Sequence, residues 1–192
     1  LGTEGMLFAL YITVFVCAAW RLLDRRQESR MSDVVSSTFA AVYVPFLASF
    51  VVLMMAAWHN AWVFVVFELM VIANDTGGWA VGVMFGKHPM APALSPKKSW
   101  EGFAGSALTA IAVGVVGLWL LGASWWWGVV AGISIAFVGT MGDLTESLIK
   151  REAGLKDMSQ ILPGHGGVLD RVDALLMSAP VAYFIFAWAL PG

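Results

Sequence analysis

Apolar residues in this chain come in long runs rather than in alternation with polar ones. Six runs stand out, over residues 6–23, 38–58, 61–85, 103–121, 125–149 and 168–190. Each is close to the length of a helix that crosses a bilayer, about twenty residues. A membrane barrel would instead show segments of about ten residues with strict alternation. The pattern therefore predicts an all-α fold, a polytopic transmembrane bundle of about six helices. No internal repeat or low-complexity tract interrupts it. No basic segment precedes the first run, so no secretory signal peptide is expected. The first residue is Leu1 rather than Met, and the natural start is expected to be missing.

Composition removes the other classes. Hydrophobic residues make up 59% and charged residues 12%, against about 25% charged in soluble domains. Disorder is excluded, and so is a disulfide scaffold, because Cys17 is the only cysteine. A net charge of −2 gives no basic excess for a nucleic-acid backbone.

The charge distribution then orients the bundle. Arg21, Arg25, Arg26 and Arg30 follow the first run, and Lys87, Lys97 and Lys98 follow the third. Lys150, Arg151, Lys156 and Arg171 bracket the connection between the last two. The other connections, around His59–Asn60 and 122–124, carry no Lys or Arg, and neither do the two ends. Alternate connections lie on one side, so all basic residues share a side. The positive-inside rule makes that side cytoplasmic. Both ends then face outward, with Trp58, Trp62 and Trp125 at the outer interface.

Six acids lie in or at the edge of apolar runs: Glu68, Asp75, Asp143, Glu146, Asp170 and Asp173. A carboxylate at mid-bilayer costs a few kcal/mol, so such residues face protein or a wet cavity. Glu68 and Asp75 share a helix face, as do Asp143 with Glu146 and Asp170 with Asp173. Asp143 lies about 10 Å from the basic surface at 1.5 Å per residue. Asp143, Asp170 and Asp173 can converge in a shallow cavity, and such a carboxylate cluster suits Mg²⁺. Asp170 could equally be a helix cap. Depth favours Asp143 and Asp173 as ligands. Glu68 could serve the cavity or helix packing.

Two connections carry more than topology requires. Residues 162–173 read L-P-G-H-G-G-V-L-D-R-V-D. Gly164, Gly166 and Gly167 around His165 allow close backbone approach, and the turn runs into a helix start that favours an anion. Residues 94–102 read L-S-P-K-K-S-W-E-G. There Ser95, Lys97, Lys98, Ser99 and Glu101 surround Pro96 on a rigid loop that suits a polyphosphate, although a positive-inside anchor would look similar.

Residues 147–173 resemble, over their whole length, the signature of the phosphatidate cytidylyltransferases, also called CDP-diacylglycerol synthases. G-D-L-T-E-S at 142–147, N-D-T-G at 74–77, F-G-K-H at 85–88 and S-P-K-K-S-W-E-G at 95–102 also match, in the family's order. The resemblance divides the chain into residues 1–60, two membrane helices without a recognisable motif, and 61–192, a catalytic transmembrane domain. It implies a family whose further N-terminal helices are expected to be missing here. It implies a Mg²⁺-dependent reaction of CTP with phosphatidate, giving CDP-diacylglycerol and pyrophosphate, at a cytoplasmic face of the cell membrane. Asp143, Asp170 and Asp173 match the family's metal ligands, with room for a second cation. Lys150, Lys156, His165 and Arg171 are the expected catalytic residues. Asp75, Ser95, Lys97, Lys98, Ser99, Glu101, Arg151, Asp157, Gly164, Gly166 and Gly167 are expected to bind substrate. A homodimer is left open. Two other readings stay in view: a CTP-dependent kinase of a polyprenol or similar lipid alcohol, and an ion- or proton-coupled transporter. The one-sided polar chemistry weighs against the transporter.

Overall fold

Long apolar sequences have one way to satisfy their backbone in lipid, which is to hydrogen-bond within each segment as helix. A computed structural model, which describes residues 2–23, 31–152 and 169–190, is built that way. Helix α1 is Gly2–Leu23, followed by α2 (Met31–Ala41) and α3 (Leu47–Trp58). Then come α4 (Ala61–Phe85), α5 (Trp100–Leu120), α6 (Trp125–Glu152) and α7 (Leu169–Ala189). Five stretches are long and apolar enough to cross a membrane: Gly2–Leu23, Asp33–Trp58, Ala61–Phe85, Trp100–Leu120 and Trp125–Glu152. A shorter apolar helix covers Asp173–Ala189. The chain is a multi-pass membrane protein, and the six-run reading matches these elements within a few residues at most ends.

Two local features depart from the expected pattern. The second run starts at Met31 rather than at residue 38, and it is interrupted by a π-helical turn, Val42–Phe46, that contains Pro45. Proline has no N–H and its ring crowds the carbonyl four residues back. The wider turn relieves this while keeping the rod continuous: the Leu47 N–H reaches back to the Val42 carbonyl, and Ala41 and Leu47 both stay right-handed helical. The connection after α4 is not a plain loop. Strands β1 (Pro89–Ala91) and β2 (Ser95–Ser99) form an antiparallel hairpin with Pro89 opposite Ser99 and Ala91 opposite Ser95.

The opposite end of the bundle is made of tight reversals. His59 takes a left-handed conformation at φ 46°, and Asn60 Oδ1 accepts from the Trp62 N–H at 3.0 Å, which starts α4. Gly122 at φ 92° turns the chain out of α5, and the Ala123 N–H closes onto the Leu118 carbonyl at 2.9 Å. Exposed Trp62, Trp119, Trp125 and Trp126 ring this end, as expected of an interfacial belt.

Packing centres on α4, α5 and α6. Bilayer lipid is as apolar as leucine, so helices associate through close backbone approach and buried hydrogen bonds. A Cβ on Gly105 would lie 2.6 Å from the Val81 side chain and 2.7 Å from the Gly77 carbonyl oxygen. Across that seam Ser106 Oγ donates to the Asn74 carbonyl and Thr109 Oγ1 to the Ala73 carbonyl, each at 2.7 Å. Phe67, Met70, Leu118, Ile135 and Phe186 are fully buried between the helices. None of α1 is buried.

Candidate active site

At the end of the bundle that carries Lys87, Lys98 and Lys150, a cavity of about 330 Å³ opens between the hairpin, the last turns of α4, the start of α5 and α6. Each wall contributes a different chemistry. Asn74 and Asp75 come from α4, Ser95, Lys97, Lys98 and Ser99 from β2, and Thr140 and Asp143 from α6. Asp143 is drawn to the hairpin across 45 residues of sequence, where its Oδ2 pairs with the Lys98 ammonium. Asp75 projects from the facing helix, and its Oδ1 accepts from Asn74 Nδ2 at 3.0 Å. Ser99 caps α5 by accepting from the Gly102 N–H at 3.1 Å, so its O–H remains a donor.

Glu101 lies just outside this lining. One carboxylate oxygen accepts from the backbone N–H groups of Lys87 and His88, each at 3.2 Å, and the other meets His88 Nδ1 at 2.5 Å. The Trp100 N–H adds a bond to the His88 carbonyl at 3.0 Å. Glu101 thus ties the open base of the hairpin and acts on the cavity through the strand that carries Lys97 and Lys98. It is placed as a tether rather than as a lining residue.

Beside the cavity lies a second polar group, held by α6 and α7. Asp173 is buried at 6% exposure, and the Glu146 carboxyl acts on it across the contact of α6 with α7. Glu146 Oε2 is 3.2 Å from Lys150 Nζ one helical turn on. Gly142 lets the two helices approach here: a Cβ on it would lie 3.1 Å from the Asp173 carbonyl oxygen. Asp143 belongs to both groups, since its charge also acts on Asp173. Arg151 is exposed at the end of α6.

Of the expected site residues, Asp75, Ser95, Lys97, Lys98, Ser99 and Asp143 thus meet in one cavity. Lys150 and Asp173 lie in the adjoining group. Lys156, Asp157, Gly164, His165, Gly166 and Gly167 lie outside the described residues, as do the side chains of Asp170 and Arg171 in the first turn of α7. Among the described residues no three His, Cys, Asp or Glu side chains form a metal cluster. The donors present nevertheless fit a hard divalent cation. Asp143 and Asp173 offer only oxygen, their charges act on one another, and an ammonium already takes a cation's place against Asp143. Sequence reasoning missed Thr140 and Ser106 as lining residues. A single hydroxyl in a small-residue helix is an ordinary packing residue by pattern, and nothing in its spacing sets these two apart.

The profile of the Cytidylyltransferase family matches residues 2–189, so it takes in the first sixty residues as well. The phosphatidate cytidylyltransferase of Mycobacterium bovis is 41% identical over 198 residues, covering 96% of this chain and 64% of the relative. That of Mycobacterium leprae is 40% identical, covering 94% of this chain and 63% of the relative. That of Haemophilus influenzae is 39% identical, covering 67% and 47%. The chain therefore spans about three fifths of the length of the mycobacterial relatives. With a match across nearly its whole length, the chain belongs to the cytidylyltransferase family.

Proposed function

We propose that this chain carries the catalytic membrane domain of a phosphatidate cytidylyltransferase. CTP and phosphatidate react to give CDP-diacylglycerol and pyrophosphate, at the cytoplasmic face of the cell membrane. The observation that carries this reading is the Lys98–Asp143 pair, at the wall of a cavity on the basic end of the bundle. It joins an anion-binding strand to a carboxylate suited to a metal. The relatives' names and the signature at 142–173 support the same reading.

A phosphatidate oxygen attacks the α-phosphorus of CTP. The bond from that phosphorus to the bridging oxygen breaks in line, and pyrophosphate leaves. The nucleophile is already an anion, so no strong general base is needed. The obstacle is repulsion between two anions. Lys97 and Lys98 are held on a strand whose base Glu101 ties, so their charge is aimed at the cavity at little reorganisation cost. Lys150, Lys156 and Arg171 serve the leaving pyrophosphate, His165 stands with them in the catalytic set, and Arg151, Asp157 and the Gly164–Gly167 turn hold substrate. Asp143, Asp170 and Asp173 would hold Mg²⁺, which supplies charge neutralisation and substrate alignment when bound. The lipid's acyl chains stay in the bilayer, so only its headgroup enters from the side.

Incubating the purified protein with phosphatidate, Mg²⁺ and CTP labelled at either the α- or the γ-phosphate tests this. The α-label is expected in lipid and the γ-label in pyrophosphate. γ-Label in lipid would replace the reading with a lipid kinase, and no transfer of either label would end it.

A further inference from the structure

The segment before α4 buries one polar group where it packs on α7, the helix of Asp173. Tyr43 sits in the π-helical turn that Pro45 imposes between α2 and α3. It is 5% exposed, and its ring stacks on Phe39 at 5.3 Å between centroids. The turn packs on α7, the helix of Asp173. The Tyr43 hydroxyl is fully buried and finds no hydrogen-bond partner among the described residues. The charged groups that act on it are Asp173 first, then Glu146 and Asp143.

A buried phenol without a partner is destabilising, because it has given up its bonds to water. Here the cost falls at a π turn, a form that often marks functional positions in helices. The charged groups that act on the hydroxyl are carboxylates, which accept, and a phenol O–H donates. An uninterrupted α-helix would lack the extra residue of the π turn, and the same ring would face another direction.

We propose that Tyr43 is a positioning residue for the Asp173–Glu146 carboxyl pair, its O–H donating to Asp173 in the working enzyme. The N-terminal membrane segment is then part of the catalytic apparatus rather than an anchor. The inference rests on the cytidylyltransferase reading only where turnover is measured. Its structural half, the coupling of Tyr43 to Asp173, can be tested without activity.

Tyr43→Phe removes one oxygen and keeps the ring against Phe39, so the variant should fold. In the full chain, Tyr43→Phe is expected to lower kcat about tenfold, with KM for CTP and for phosphatidate within about twofold of the parent. Tyr11→Phe, on the exposed face of α1, should change nothing. Melting temperatures of Tyr43→Phe, Asp173→Ala, which removes the acceptor, and the double variant complete a cycle. The shift that Tyr43→Phe causes should differ between the parent background and the Asp173→Ala background. Additive melting shifts, or an unchanged kcat for Tyr43→Phe, would overturn the proposal. Should the parent chain transfer no label at all, the melting cycle alone still decides whether Tyr43 acts on Asp173.

Discussion

Among single residues, Asp143 carries the most consequence. It is one-third exposed, it pairs with Lys98 on one side, and its charge reaches Asp173 on the other. A carboxylate placed so is useful only while charged. Asp143→Asn keeps the shape and removes the charge, and turnover should fall at least about 10²-fold with the protein still inserted and folded. Lys98→Gln should lower kcat/KM for CTP by about 10²-fold through loss of a fixed cation. Lys98→Arg should not restore it fully, because the guanidinium fork needs a different geometry from a point charge. Label transfer from α-labelled CTP, with size-exclusion profiles as the folding control, measures each. Near-normal turnover of Asp143→Asn at ordinary Mg²⁺ would remove that residue from the proposed set of metal ligands.

Between elements, two contacts decide whether the cavity keeps its shape. The first is the α4–α5 seam. Gly105 has the Val81 side chain and the Gly77 carbonyl of α4 where a side chain would go, so Gly105→Val must push the helices apart. Overpacking of this kind costs about 1–3 kcal/mol. A lower melting temperature is expected, and activity should be lost on heating before that of the parent. An unchanged melting temperature would mean that the seam is looser than described. The second contact is the hairpin tether. Glu101→Ala frees the N–H groups of Lys87 and His88 and releases the strand that carries Lys97 and Lys98. The effect should be on KM for CTP, raised roughly tenfold, with kcat less affected. Glu101→Gln keeps one acceptor oxygen and should retain more of the affinity. Equal KM values for Glu101→Ala and the parent would show that the hairpin holds its place without the tether.

For the molecule as a whole the question is sidedness. CTP cannot cross lipid, so the hairpin must face the cytoplasm for the proposed reaction to run. Single cysteines in a Cys17→Ser background report this through a membrane-impermeant thiol reagent. Asn60→Cys and Ser124→Cys, at the tight reversals, should label in intact cells. Lys87→Cys and Lys97→Cys, at the hairpin end, should label only after the membrane is opened. Labelling of Lys97→Cys in intact cells would put the cavity on the wrong side for CTP and end the cytidylyltransferase reading.

Local rules made part of this protein legible in advance. The number and placement of the membrane helices follow from run length against bilayer thickness, a comparison that needs no tertiary information. The gathering of basic residues at one end follows from counting helices between them. Hydropathy placed the start of the second helix at residue 38 because Asp33, Ser36 and Ser37 are polar. The helix begins at Met31 because helix extent is set by backbone hydrogen bonds, not by partition into lipid. The hairpin could not be read from Ser95–Ser99, whose proline and lysines disfavour a strand. Its two strands pair with each other, and Glu101, two residues past its end, takes the N–H groups at its other end. The resemblance at 142–173 marked Asp143 but could not say what it touches. Its pairing with Lys98, the contact of Asp173 with Glu146 and the approach of Tyr43 all join residues far apart in the chain. Spacing along one helix sets which residues share its face. Only the packing of helices against one another determines which faces meet, and that is where this site is made.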